Sequence, residues 1–156
     1  MKRKLYIIIM LVVLCFAGLQ NIQAQTFKGK LTSVKMNNKP YDEVNDVMFT
    51  LSNLGEQAYK LKSSPIGPIG KMPGTINVDA TVLIDSSKKI LPDRNVSKAG
   101  TLNLTIGTNM DIYMTNISGN IKGDSINFVL DTYSVEIFGI KAVNASVTFK
   151  GTKVSN

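Results

Sequence analysis

From residue 74 to residue 85 the chain alternates almost without a break. Ile76, Val78, Ala80, Val82 and Ile84 are apolar, while Thr75, Asn77, Asp79, Thr81 and Asp85 are polar, with Leu83 the one exception among the intervening positions. Successive side chains on a strand point to opposite faces, so a period of two reads as a long strand with one dry and one wet face. A helix, with a period of 3.6, would scatter the same residues around its circumference.

The rhythm recurs along the chain. Residues 26–36 set Phe27, Gly29 and Leu31 on one face between Lys28 and Lys30, and residues 46–51 set Val47, Phe49 and Leu51 against Met48 and Thr50. Asn53-Leu54-Gly55 reads as a hairpin turn into 57–62, where Tyr59 and Leu61 share a face. Further strands are expected at 101–107 (Leu102, Leu104 and Ile106 inward) and at 109–117 (Met110, Ile112 and Met114 inward). Strand 125–131 follows the turn signal Gly123-Asp124, with Ile126, Phe128 and Leu130 on one face. Val135 and Ile137 mark a short strand, and 142–151 closes the series with Val143, Ala145, Val147 and Phe149 alternating.

Two stretches interrupt this pattern. Residues 63–74 hold Pro65, Pro68 and Pro73 together with Gly67, Gly70 and Gly74, which forbids an interior strand and suggests a crossing segment. Residues 86–98 read as a long connection carrying Pro92 and the basic residues Lys88, Lys89, Arg94 and Lys98. No segment offers a helical stripe. About eight to ten half-dry strands must bury their apolar faces in two packed sheets or in one closed barrel, and closure also removes exposed sheet edges.

The first residues stand apart from this fold. Lys2, Arg3 and Lys4 precede an apolar run from Leu5 to Leu19, followed by a short polar piece ending at Ala24, which is the make-up of a secretory signal peptide. The expected organisation is a signal segment, 1–24, cleaved after Ala24, and one domain, 25–156, placed in the periplasm or at the cell surface. The only cysteine, Cys15, lies inside the apolar run after Leu14, so it reads as a signal-core residue rather than a lipidation site. The mature domain is then free of cysteine and rests on its core alone.

Charge and residue types narrow the chemistry. Of 18 basic residues three lie in the signal, and none of the 11 acidic ones does, so the net +7 falls to +4. That excess is mild and dispersed, and with no tryptophan and no basic–aromatic interleaving the sequence gives no sign of a nucleic-acid partner. The chain contains no histidine, which rules out a Ser-His-Asp triad and, with no mature cysteine, the usual zinc ligands. The acids sit singly on outward positions or in turns, so no enzyme activity and no cofactor are expected. The densest acidic stretch, Asp42-Glu43-Val44-Asn45-Asp46, lacks the glycine and the terminal glutamate of an EF-hand loop and reads as a polar approach to a strand. Lys88, Lys89, Arg94 and Lys98 are candidates for contact with an anionic surface or an envelope protein.

Four pieces of the chain resemble the calycin-like β-barrel domains, small lipocalin-like exported proteins of Gram-negative bacteria. They are Phe27-Lys28-Gly29-Lys30-Leu31, the segment from Ile69-Gly70-Lys71 through Val78, the hairpin from Ile121 to Phe128, and Val147-Thr148-Phe149-Lys150-Gly151-Thr152-Lys153. The Gly-x-Trp of true lipocalins is missing, because the chain has no tryptophan. The resemblance implies an antiparallel up-and-down barrel whose interior accepts a small apolar or lipid-like molecule. It carries no catalytic residues. The lining expected from the inward positions comprises Phe49, Leu51, Ile76, Val78, Leu104, Met114, Phe128 and Leu130. The other reading is a barrel filled by its own side chains that acts through its loops in the cell envelope.

Overall fold

The computed structural model describes residues 24–71, 74–95, 98–135 and 142–154; residues 1–23 of the expected signal segment and Ile137 of the expected short strand lie outside them, and Val135 of that strand is exposed and belongs to no strand. Ten strands form one antiparallel sheet: β1 (Gln25–Met36), β2 (Lys39–Pro40), β3 (Val44–Gly55), β4 (Ala58–Ser63), β5 (Gly74–Ile84), β6 (Lys89–Pro92), β7 (Lys98–Leu104), β8 (Asn109–Lys122), β9 (Ser125–Ser134) and β10 (Asn144–Lys153). β1 pairs with β3 on one side and β10 on the other, which closes the sheet into a barrel of eight staves. The up-and-down order follows from short connections, as antiparallel neighbours require.

One stave is shared. β6 pairs with Val82–Ile84 of β5 and with Gly119 and Asn120 of β8, whereas β7 pairs with β5 from Gly74 to Val78 and with β8 from Asn109 to Tyr113. The connection 86–98 was expected to be irregular throughout, but it contains β6. Only Ile90 of that strand is buried, and Pro92 sits at its end, so four residues carry too little alternation to be read as a strand.

Inside, the alternating residues meet as one core, from Phe27 and Leu31 on β1 round to Phe149 on β10. The phase of the alternation changes within staves. On β1 the inward set is Phe27, Gly29 and Leu31 before a bulge at residues 33 and 34, and Val34 and Met36 after it, with Ser33 at φ 50°. On β8 it is Met110, Ile112 and Met114 before a bulge at Thr115, and Ile117 after it. An extra residue moves the rest of the strand to the opposite face, so the alternation expected over 109–117 breaks at the bulge, and the strand runs on to Lys122. Bulges also bend and twist the strand, as a closed barrel demands.

Two further expectations are corrected. The β3–β4 hairpin turns at Glu56 and Gln57, beyond Gly55, because β3 runs on through Asn53 and Leu54. Ile106 does not face inward: it sits in the turn between β7 and β8 and is 70% exposed. The ladder between these strands ends at Asn103 and Asn109, leaving Ile106 no neighbour to pack against.

The outer face is mostly polar, and several of its charges are paired. Asp79 on β5 lies 2.5 Å from Lys60 Nζ and 3.3 Å from Lys62 Nζ, both on β4. Partial burial works against its ionisation, but hydrogen bonds to and charge from Lys60, and then Lys62, outweigh it and hold the carboxyl below its ordinary value. A depressed carboxyl stabilises the fold above its unfolded pKa, and that contribution is lost as pH falls through the folded pKa. Asp79→Asn should therefore lower the unfolding free energy from urea titration at neutral pH by less than about 1 kcal/mol, since the cluster is surface-exposed. The gap between variant and wild type should close as the titration is carried below pH 4, and a gap constant with pH would refute this assignment.

Candidate functional site

The two ends of the barrel differ. At one end lie the excursion at 37–43, the crossing segment 64–71 and the turn at 105–108; at the other lie the turns at 56–57, 85–88 and 123–124. Between them the barrel is filled by aromatic rings. Phe49 meets Phe149 at 4.6 Å and Phe128 at 5.1 Å, and Phe128 meets Phe149 at 5.3 Å, centroid to centroid. Phe27, whose β1 position pairs with Phe49, is also fully buried.

Above these rings the crossing segment 64–71 covers the barrel mouth. Ser64 N–H donates to the Met48 carbonyl at 2.9 Å, and Ile66 exchanges two backbone hydrogen bonds of 2.8 Å with Ile76. The Ser63 and Ser64 hydroxyls accept from Val78 N–H and Met48 N–H. Ile66 and Ile69 belong to the core and are only 4% and 3% exposed. The prolines and glycines of this stretch exclude it from the ladder, yet its two isoleucines complete the core. Further along, the Tyr41 ring lies 2.6 Å from where a Cβ on Gly70 would stand, and Gly70 has φ 57°. The excursion 37–43 thus braces the crossing segment through a contact that only glycine permits.

Beneath Ile66 and Ile69 is a cavity of about 40 Å³. Its walls are apolar apart from Thr132, and no charged side chain lines it. A second void of about 20 Å³ adjoins it, sharing Ile76, Ile112, Thr132 and Ala145. There the buried Ser134 hydroxyl accepts from Val143 N–H at 3.1 Å, so its polarity is satisfied. A cavity of roughly 150 Å³ is needed to admit a benzene ring, so these voids lie well below ligand size in this state.

Of the eight residues expected to line a site, Phe49, Ile76, Val78 and Leu130 border the larger void. Leu51 faces a different pocket at the opposite end. Leu104, Met114 and Phe128 are buried in the core but line none of these spaces. Ile66 and Ile69 were not expected there. Their signal in the sequence was faint: two isoleucines three apart, inside a Pro/Gly run that otherwise reads as surface.

The four basic residues proposed for an anionic surface come from β6, from β7 and from the chain on either side of β6. Lys88 and Lys89 sit at the turn end, Arg94 lies between β6 and β7, and Lys98 Nζ is 2.7 Å from Asp111 Oδ1. Hydrogen bonding to Asp111 raises the Lys98 pKa despite burial, with the charges of Asp111, Tyr113 and Asp79 adding to it. The acidic stretch 42–46 is likewise engaged, Glu43 with Lys30 at 2.6 Å and Asp46 with Lys28 at 2.9 Å. Among the described residues no three His, Cys, Asp or Glu side chains converge as metal ligands. The chain matches no model of a known protein family, no curated protein and no solved structure.

Proposed function

We propose that this protein is an exported, calycin-like binding protein that holds a small apolar or lipid-like molecule at the lidded end of its barrel. The observation that carries the reading is the void under Ile66 and Ile69, which is apolar and covered by a segment that belongs to no stave. In this proposal the ligand takes the place of the two isoleucines, and 64–71 swings away from the mouth while the staves stay put. Ligand affinity is then reduced by the free energy of displacing the lid, as for any site whose competent state is a minor population.

Truncating a lid side chain tests this. Ile69→Ala should destabilise the protein by about 2–5 kcal/mol, as for other buried Ile→Ala changes. The same change should tighten binding of the apolar fluorescent probe N-phenyl-1-naphthylamine, and the probe should restore part of the lost thermal stability. If neither protein takes up the probe, the carrier reading is wrong.

The smallness of the void favours a second reading, in which the barrel is a filled scaffold and its loops, Lys88, Lys89 and Arg94 included, contact an envelope partner or an anionic surface. A variant that loses stability but gains no probe affinity would support it.

A further inference from the structure

We infer that the turn end of the barrel carries a second site, separate from the lidded cavity, that binds a small organic carboxylate with a compact apolar body. The pocket there measures about 180 Å³ and is bordered by Gln25, Leu51, Tyr59, Ile84, Lys88 and Ile121. An enclosed apolar cavity of roughly 150 Å³ accepts benzene, so this partly open pocket is of the size of a single ring or a short branched chain. Leu51 and Ile84, 3% and 5% exposed, form an apolar floor, and Ile121 and Tyr59 pack against the same core. Tyr59, Gln25 and Lys88 are the lining residues with polar side chains.

No acidic side chain lines this pocket, although Glu56 and Asp124 occupy turns at the same end of the barrel. Lys88 has the only charged side chain in the lining, and it has no carboxylate partner among the described residues. The nearest acid in sequence, Asp85, is turned into its own loop, where Oδ1 accepts from the Ser87 hydroxyl at 2.7 Å and from Lys89 N–H at 2.9 Å. Those bonds, the Lys89 backbone first, hold its carboxyl below the ordinary value and keep it occupied.

Lys88 is also held in place. Its N–H donates to the Asp85 carbonyl, and its own carbonyl accepts from Ile121 N–H, both at 3.0 Å. Its φ of 63° lies in the left-handed region, which an L-residue with a long side chain seldom occupies and where glycine or asparagine would be easier. A lysine kept at such a position, beside an apolar hollow and free of any counter-ion, matches a ligand that has an anionic head and an apolar body.

The probe is para-fluorobenzoate, followed by fluorine NMR and by amide shifts of the purified protein, with para-fluorobenzyl alcohol as its uncharged counterpart. The benzoate should bind and shift Leu51, Lys88 and Ile121, while the alcohol binds at least tenfold more weakly. Lys88→Gln should weaken the benzoate tenfold or more and leave the alcohol unchanged, and Tyr59→Phe should weaken it severalfold. Ile69→Ala, at the far end, should leave it unaffected, which separates this site from the lidded cavity. Equal binding of acid and alcohol, an unaltered Lys88→Gln variant, shifts confined to the lidded end, or no binding in the millimolar range would each overturn the inference.

Discussion

Phe49→Ala should be the most damaging single truncation in the barrel, lowering stability by about 3–5 kcal/mol. The ring is 1% exposed and touches both Phe128, edge-on at 88°, and Phe149, at an interplanar angle of 58°. Aromatic pairs of this kind add roughly 0.5–1.5 kcal/mol each beyond area burial, so the loss includes two such contacts as well as the cavity left behind. A domain of this size has on the order of 5–15 kcal/mol in all, and the variant should melt about 10 °C or more below wild type.

Phe49 also forms the floor of the lidded void, so removing its ring joins new volume to the existing 40 Å³. The variant should take up N-phenyl-1-naphthylamine more readily than wild type even as it melts earlier. Calorimetry with and without the probe reads both effects. A melting point within a few degrees of wild type would mean that the three rings do not support the waist of the barrel, and the account of its core would fail.

Phe49 was legible from the sequence, and so was most of the wall. Strict alternation around Phe49, Phe128 and Ile76–Ile84 carries direct information about which face is dry, because a strand's period is two residues. That reading deteriorates wherever an extra residue enters a strand. The bulges at Ser33 and Thr115 change the inward phase, so Val34 and Ile117 fall on the side a simple count would call wet. β6 was hidden for a different reason, since a four-residue strand with one buried side chain resembles a loop. Ile106 marks the opposite error. It continues the alternation of Leu102 and Leu104 past the point where the ladder stops, and periodicity has no means of sensing that end.

The candidate sites were less legible because both are made by chain that is not in the wall. Ile66 and Ile69 enter the core from a Pro/Gly crossing, and the pocket at Lys88 arises from a turn closed by Asp85. Turn and crossing geometry depend on what they dock against, which no local pattern records. The residues expected as lining lie in the apolar core of the barrel, while the elements that would give it a mouth and a rim came only from three-dimensional placement.

Closure of the wall rests on a steric requirement at Gly29, and Gly29→Ala should show it. Gly29 faces inward on β1 directly opposite Gly151 on β10, the pair that joins the first and last staves. A Cβ at Gly29 would stand 2.0 Å from the Lys150 carbonyl oxygen and 2.5 Å from Gly151 Cα. These are backbone atoms, so no side-chain rotation relieves the overlap, and β10 itself must move. Overpacking of this kind typically costs 1–3 kcal/mol and sometimes more. Here the cost should reach or exceed the upper figure, because displacement weakens the seam from Phe27↔Lys153 to Leu31↔Phe149 and loosens Phe149 from its partner rings. Hydrogen exchange should accelerate first at the β1 and β10 amides, with the β3–β4 hairpin protected longer. Lys30→Ala, one residue along and pointing outward, loses only its exposed pair with Glu43 and should change stability by less than about 1 kcal/mol. If Gly29→Ala proves as mild as Lys30→Ala, with exchange at β1 and β10 unchanged, the two end staves do not approach as closely as described, and the barrel is not sealed along that seam.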